Sequence, residues 1–128
     1  MKEKLQSLLK NSYAPYSKFP VAAVVEMKDG TMFYGVNVEN ASYGGTICAE
    51  RNAIASAITN GYHKGDFASL TIMVDRPNFS TCCFLCRQVM VEFFDPDSQV
   101  TFLNNEGVGE TVTVSALCPM AFSEDDLK

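Results

Sequence analysis

Three cysteines and one glutamate in two short motifs are the residues with the clearest chemical potential. In the first motif Glu50 follows Cys48 by two residues, and in the second Cys83 and Cys86 form a C-x-x-C pair. Three thiolates bind zinc and leave its fourth tetrahedral position open for water, which then loses a proton near neutral pH and becomes a hydroxide nucleophile. A carboxylate close to that position can move protons as a general acid and base. The motifs together predict a catalytic zinc site with Glu50 as the proton carrier.

The second motif has two possible registers on spacing alone. Cys82 and Cys83 both lie within about one helical turn of Cys86, and residues three or four apart share one face of a helix. C-x-x-C is the recurrent zinc spacing and favours Cys83. Apolar space in the core is expected to be filled by Cys118, Met73, Met90 and Met120.

Each motif begins an apolar segment with the composition of a buried helix. The first helix is predicted to have Thr46 as its cap and to run through Thr59, where Asn60-Gly61 ends it. The second is predicted from about Cys83 to Phe94. Helix N-termini carry partial positive charge and free N–H groups, which would stabilise thiolates at these positions.

The segments between these helices predict the strands of a sheet. Strands are expected at 21–27, 31–38, 70–74, 100–103 and 111–114, the last of which could also begin a helix. A Lys28-Asp29-Gly30 turn predicts a hairpin between the first two strands. The brief 104–109 turn predicts antiparallel pairing of the last two, because a parallel pair needs a longer crossover. Together with an N-terminal amphipathic helix, this alternation predicts one layered α/β domain over residues 1–128.

Composition and charge exclude several classes of function. The chain has 128 residues, of which 47% are hydrophobic and 20% charged, as in an ordinary globular domain that buries a core without disulfides. A net charge of −5 argues against a nucleic-acid partner. There is neither a secretory signal nor an apolar run of membrane-spanning length. Five cysteines, an odd number, fit a reducing compartment, so we expect a soluble cytoplasmic protein without a membrane partner.

Over nearly its whole length the chain resembles the zinc-dependent cytidine deaminases, specifically their small three-cysteine type. The matching motifs are C-A-E-R at 48–51, C-x-x-C-R-Q at 83–88, A-P-Y-S-K-F at 14–19, N-V-E-N-A-S-Y at 37–43 and P-M-A-F-S at 119–123. The resemblance implies a three-layer α-β-α fold with a five-stranded mixed sheet and one Zn²⁺ per subunit. It further implies hydrolytic deamination of cytidine and deoxycytidine to uridine, deoxyuridine and ammonia, in pyrimidine salvage. The chain departs from the family at Cys82, where proline is usual, and at Phe84 and Leu85, where small residues are usual.

The resemblance also implies roles for the residues around the metal. Cys48, Cys83 and Cys86 would be the zinc ligands, and Cys82, in the place of the family's proline, would point away from the metal. Glu50 would take a proton from the bound water and pass it to the pyrimidine ring nitrogen and then to ammonia. Arg51 would hydrogen-bond the ligand sulfurs and offset their negative charge.

Further residues match the positions with which the family binds its nucleoside substrate. Asn37 and Glu39 would hold the ribose hydroxyls. Phe19 would pack against the base or sugar, as would Phe122 reaching in from a neighbouring subunit of a homotetramer. The backbone of Ala49 and Cys83 would face the substrate.

Two alternative functions share part of these motifs. Enzymes that deaminate cytosine-containing antibiotics such as blasticidin S have both zinc motifs, although the N-V-E-N and A-F-S segments favour the plain nucleoside. In a structural zinc module, Cys82 or Cys118 would close the fourth metal position. Glu50 beside the metal argues against that alternative, and the acidic charge argues against deamination of a polynucleotide.

Overall fold

The computed structural model describes all residues from Met1 to Lys128. Its helices and strands follow in the order α1 (Lys2–Leu8), β1 (Val21–Met27), β2 (Met32–Val36), α2 (Ala49–Thr59), β3 (Phe67–Val74), α3 (Phe84–Phe93), β4 (Phe94–Leu103), β5 (Gly109–Thr113) and α4 (Val114–Leu117). Short 3₁₀ turns lie at Leu9–Asn11, Tyr43–Gly45 and Glu124–Leu127. No helix has both the length and the apolar composition needed to cross a membrane.

The five strands form one mixed sheet in the order β2-β1-β3-β4-β5. Only β3 and β4 are parallel, with Leu70 opposite Val100, and α3 provides the crossover between them. The other pairs are antiparallel. The hairpin between β1 and β2 and the antiparallel pairing of β4 with β5 are therefore both confirmed.

Side chains that alternate along the strands divide the core between the two faces of the sheet. On one face, Leu5 and Leu9 at the N-terminus pack with Ala22 and Val24 of β1. A larger cluster on the opposite face joins the sheet to α2, α3 and α4. The predicted three-layer α-β-α arrangement is confirmed.

Several element boundaries differ from the prediction. Strand β4 begins at Phe94, immediately after α3, and not at Val100 as predicted. The prediction left out the segment Asp95–Gln99 because its polar residues break the apolar pattern of the strand. Strand β3 begins at Phe67 and pairs with β4 through a register shift. The expectation that Met120 fills the core is wrong: its side chain is fully exposed, whereas Met73 and Met90 are buried.

Helix α2 lies directly against the edge strand β2, and a glycine makes this approach possible. A Cβ atom at Gly35 would lie 2.6 Å from both the Ala49 oxygen and the Ala53 nitrogen. One residue further along β2, the Val36 carbonyl accepts a 2.8 Å hydrogen bond from Asn52 Nδ2. The start of α2 is thereby fixed beside the end of β2.

Candidate active site

Three thiols converge where α2 and α3 begin. Cys48 and Cys83 are the N-cap residues of these helices, and Cys86 lies in the first turn of α3. The Sγ atoms of Cys48 and Cys83 are 3.8 Å apart and those of Cys83 and Cys86 are 3.4 Å apart. The expectation that Thr46 caps α2 is wrong, because Cys48 takes that position and Thr46 Oγ1 accepts a hydrogen bond from the Asn40 backbone.

The donor set fits a zinc ion with an open position. Tetrahedral zinc with bonds of about 2.3 Å needs sulfur–sulfur separations of about 3.8 Å, and all three sulfurs lie within 4.8 Å of one another. Cys82 and Cys118 are not members of this group. The structure therefore brings three thiols together and offers no fourth cysteine that would close the site.

The thiol cluster already favours negative charge on one sulfur. A hydrogen bond from Cys86, together with those from Arg51 and Cys83, outweighs burial and lowers the pKa of Cys48 to about 5. The same Cys86–Cys48 hydrogen bond and burial raise the pKa of Cys86. Arg51 Nη2 lies 3.4 Å from Cys48 Sγ, and this contact raises the pKa of the guanidinium. Positive charge is thus held next to the thiolate.

Glu50 lies beside the thiols in the first turn of α2, and only 5% of its surface is exposed. Burial, followed by the negative charge of Cys48, raises the pKa of this carboxyl group. A carboxyl group with a raised pKa can hold a proton closer to neutral pH and release it to a reacting group. The environment of Glu50 therefore suits general acid–base chemistry.

A cavity of about 330 Å³ opens beside the cluster, a volume within the usual range for small-molecule sites. The predicted site residues in its lining are Phe19, Asn37, Glu39, Cys48, Ala49, Glu50 and Cys83. The lining also includes residues for which the sequence predicted no role in a site: Ser17, Val21, Thr46, Ile72, Val74, Ser80 and Thr81. Cys82, the alternative ligand that the spacing allowed, lies in the lining as well but outside the group of three thiols. The only carboxyl groups of the lining are those of Glu39 and Glu50, and no lysine or arginine is among the lining residues.

Asn37, just after β2, is a buried polar residue in the cavity lining. Its Oδ1 atom accepts hydrogen bonds from the Val21 backbone at 3.0 Å and from the Ser12 hydroxyl. Its Nδ2 atom donates to the Phe19 carbonyl at 2.8 Å. Both acceptor positions and one N–H are therefore used within the chain, and one N–H remains to face a ligand.

Glu39, two residues further on, is held by the segment that precedes β1. Its Oε1 atom accepts from the backbone N–H groups of Tyr16 and Ser17 at 3.0 and 3.1 Å. Its Oε2 atom accepts from the Ser17 hydroxyl. The Ser17 hydroxyl is the main cause that lowers the pKa of Glu39, so this wall of the cavity carries a carboxylate.

Among the predicted substrate-binding residues, Phe122 is the one that the structure places outside the cavity of its own chain. The residue is 55% exposed, while its carbonyl accepts a 2.8 Å hydrogen bond from Gln88 Nε2 on α3. The backbone of the C-terminal segment is therefore anchored and the aromatic ring is left free.

Known proteins with similar sequences and structures belong to one group. The family model described as the cytidine and deoxycytidylate deaminase zinc-binding region matches residues 1–102. A cytidine deaminase from Sporosarcina psychrophila is 41% identical over 116 residues, which cover 91% of this chain and 84% of that protein. A cytidine deaminase from Halalkalibacterium halodurans is 40% identical over 127 residues, which cover 99% and 94%. The crystal structure of cytidine deaminase from Burkholderia pseudomallei aligns with a TM-score of 0.88 at 40% identity over 94% of each chain.

Proposed function

The chain belongs to the zinc-binding cytidine and deoxycytidylate deaminase family, and on this premise we propose which of its residues carry the reaction. The reaction is the hydrolytic deamination of cytidine, which releases ammonia. The observation that carries the assignment of residues is the position of Glu50, buried beside three zinc-competent thiols and lining the same cavity as Asn37 and Glu39.

In our proposal Cys48, Cys83 and Cys86 hold one zinc ion per subunit. When bound, zinc acts as a Lewis acid that lowers the pKa of a coordinated water toward neutrality. Arg51 donates to Cys48 Sγ and offsets the excess negative charge of three thiolates against one divalent cation. The backbone at Ala49 and Cys83, at the starts of α2 and α3, faces the pyrimidine.

Glu50 is the group that moves protons in this scheme. It accepts a proton from the attacking water and delivers it to the pyrimidine ring nitrogen. It then takes the proton of the hydroxyl added at C4 and gives it to the amine, which departs as ammonia. Its burial and raised pKa suit a group that must be protonated for part of the cycle. Because it lies within the first turn of α2, packing of that helix holds it at a fixed distance from the thiols.

The opposite wall of the cavity binds the sugar in our proposal. The free N–H of Asn37 is a donor and the Glu39 carboxylate is an acceptor, a pair that matches a ribose hydroxyl. Phe19 packs against the base or sugar, and its backbone is fixed by the Asn37 amide. With no lysine or arginine in the lining, the cavity suits an uncharged nucleoside, cytidine or deoxycytidine, and not a polynucleotide.

The residues also support a homotetramer in which Phe122 completes a neighbour's site. Large apolar side chains are exposed at Phe84, Leu85, Met120 and Phe122. A groove of about 420 Å³ between α2 and α3 has an apolar lining. Exposed apolar surface is typical of interfaces between chains where it forms a large patch. Light scattering that finds an active monomer would contradict this proposal.

We further propose that residues 1–128 act as one cytoplasmic catalytic domain in pyrimidine salvage. All five strands belong to one sheet, and all five cysteines are free thiols, including the buried pair Cys82 and Cys86. Free thiols persist in a reducing compartment.

The decisive experiment is the Glu50→Gln variant, measured for zinc content and for turnover of cytidine, deoxycytidine and blasticidin S. The variant should retain zinc and lose about 10²–10⁴-fold or more in kcat, because general acid–base groups contribute that much. Near-normal kcat in Glu50→Gln would overturn the mechanism. A wild-type protein that binds zinc but turns over none of the three substrates would indicate a structural zinc module.

A further inference from the structure

The segment Tyr16–Phe19 wraps around the carboxylate of Glu39. Two backbone N–H groups, from Tyr16 and Ser17, donate to one carboxylate oxygen, and the Ser17 hydroxyl donates to the other. The Ser17 Oγ atom in turn accepts a 3.1 Å hydrogen bond from the Phe19 backbone. A single hydroxyl therefore joins two residues of the proposed sugar wall.

The hydrogen-bonding capacity of these groups limits what each can offer to a ligand. A carboxylate accepts about four hydrogen bonds, two on each oxygen. Oε1 of Glu39 has both of its positions filled by backbone donors, whereas Oε2 has one position filled by Ser17 and one free. Since a serine hydroxyl has one hydrogen, the hydroxyl of Ser17 has no donor left for a ligand. The one proton that Ser17 can share is therefore committed to Glu39, and only a lone pair of its oxygen remains for a ligand.

We propose that Ser17 is a positioning residue that aims the free acceptor of Glu39 at a ribose hydroxyl of the substrate. This inference rests on the proposed sugar-binding role of Glu39. The backbone bonds hold Oε1 alone, and small changes in the side-chain torsions of the glutamate would let its carboxylate pivot about that oxygen. The hydroxyl of Ser17 prevents this pivot by holding Oε2.

The backbone around Ser17 is arranged to keep it in this position. Lys18 has φ of 58°, in the left-handed region that a non-glycine residue adopts only when its surroundings hold it there. The Lys18 backbone N–H donates to the Ala14 carbonyl at 3.0 Å, which closes the turn. The turn returns the chain so that Ser17 faces Glu39 and Phe19 faces the cavity.

Loss of the Ser17 hydroxyl should weaken binding of the nucleoside more than the chemical step. We expect Ser17→Ala to raise KM for cytidine on the order of tenfold with kcat nearly unchanged, since the hydrogen bond removed has a charged acceptor. Ser17→Thr retains a hydroxyl on the same carbon and should restore KM. A purely structural role for Ser17 would instead lower the melting temperature and affect all substrates alike.

The test compares cytidine, 2′-deoxycytidine and 3′-deoxycytidine in the wild type, Ser17→Ala, Ser17→Thr and Glu39→Gln. One of the two deoxynucleosides lacks the hydroxyl that Glu39 contacts. On that substrate we expect the kcat/KM penalties of Glu39→Gln and Ser17→Ala to disappear together. If Ser17→Ala does not fold, Ser17→Cys, which has only a weak S–H donor, takes its place.

Two results would overturn the inference, and they can be distinguished. If the Glu39→Gln penalty disappears on one deoxynucleoside but the Ser17→Ala penalty is the same on all three substrates, Ser17 does not act through Glu39. If the Glu39→Gln penalty is itself the same on all three substrates, the sugar-binding role of Glu39 fails and the role of Ser17 fails with it.

Discussion

Replacing Arg51 by alanine should weaken zinc binding while leaving the thiol ligands in place. Arg51 lies three residues after Cys48 in α2, and its Nη2 atom is 3.4 Å from that sulfur. Its Nε atom is buried without a hydrogen-bond partner, so the guanidinium is held at this position at some energetic cost. Truncation removes a charged donor from a centre in which three thiolates outweigh one divalent cation.

The size of the effect follows from the contact that is lost. Hydrogen bonds to charged groups contribute about 1.5–3 kcal/mol, and partial exposure of the Arg51 side chain places this one toward the lower end because solvent screens it. At about 1.4 kcal/mol for each factor of ten, the Kd for zinc should rise on the order of tenfold. Residues that support metal ligands typically have effects of this size.

The assay is a competition for zinc against a chromophoric chelator at neutral pH, with thermal melting of each variant alongside. Arg51→Lys keeps the positive charge without the planar guanidinium and should fall between the wild type and Arg51→Ala. Arg76→Ala is the matched control, because Arg76 stacks on the Phe19 ring at 4.7 Å and has no contact with the thiols. Unchanged zinc affinity in Arg51→Ala, or an equal loss in Arg76→Ala, would refute the reasoning.

Three further predictions concern the ligand register, the packing of α2 and the substrate class. Cys82→Ala should keep zinc and activity and Cys83→Ala should lose both, measured by metal analysis and turnover; the opposite pattern would place the register one residue earlier. Gly35→Ala should lower the free energy of unfolding by about 1–3 kcal/mol or more and reduce kcat/KM, because the new Cβ would lie 2.6 Å from backbone atoms of α2. Gly44→Ala, with nothing within 4 Å of the added Cβ, is its control in denaturant unfolding. Single-stranded DNA and RNA oligonucleotides should not be deaminated, and rates that match free cytidine would contradict the substrate class.

The zinc half of the site could be predicted because its information is local in the sequence. Cys48 and Glu50 are two residues apart at the start of one helix, and Cys83 and Cys86 are three apart at the start of another. The site forms when the N-termini of these two helices lie next to each other on one face of the sheet. The zinc requirement and the α-β-α fold are confirmed, whereas the roles of individual residues remain predictions for mutagenesis.

The hydrogen bonds that hold Asn37 and Glu39 in place could not be predicted because they join residues that are distant in sequence. Ser17 reaches Glu39 across 22 residues and Ser12 reaches Asn37 across 25. A serine in a polar loop gives no local sign of such a partner. The same limit explains the incorrect expectation for Met120, whose apolar side chain predicts burial although the turn that contains it leaves it fully exposed.

The zinc site and the proposed sugar-binding residues are joined by packing between α2 and β2, which lies outside the sequence motifs. Helix α2 carries Glu50, the end of β2 leads to Glu39, and the close packing at Gly35 with the Asn52–Val36 hydrogen bond holds the helix against the strand. The distance between Glu50, the proposed proton carrier, and Glu39, the proposed sugar acceptor, is therefore set by backbone packing. A distance fixed in this way would lower the ordering cost of binding and hold the pyrimidine where Glu50 can reach it. It follows that changes at Gly35 should impair binding and proton transfer together, although the side chain they add would contact neither substrate nor metal.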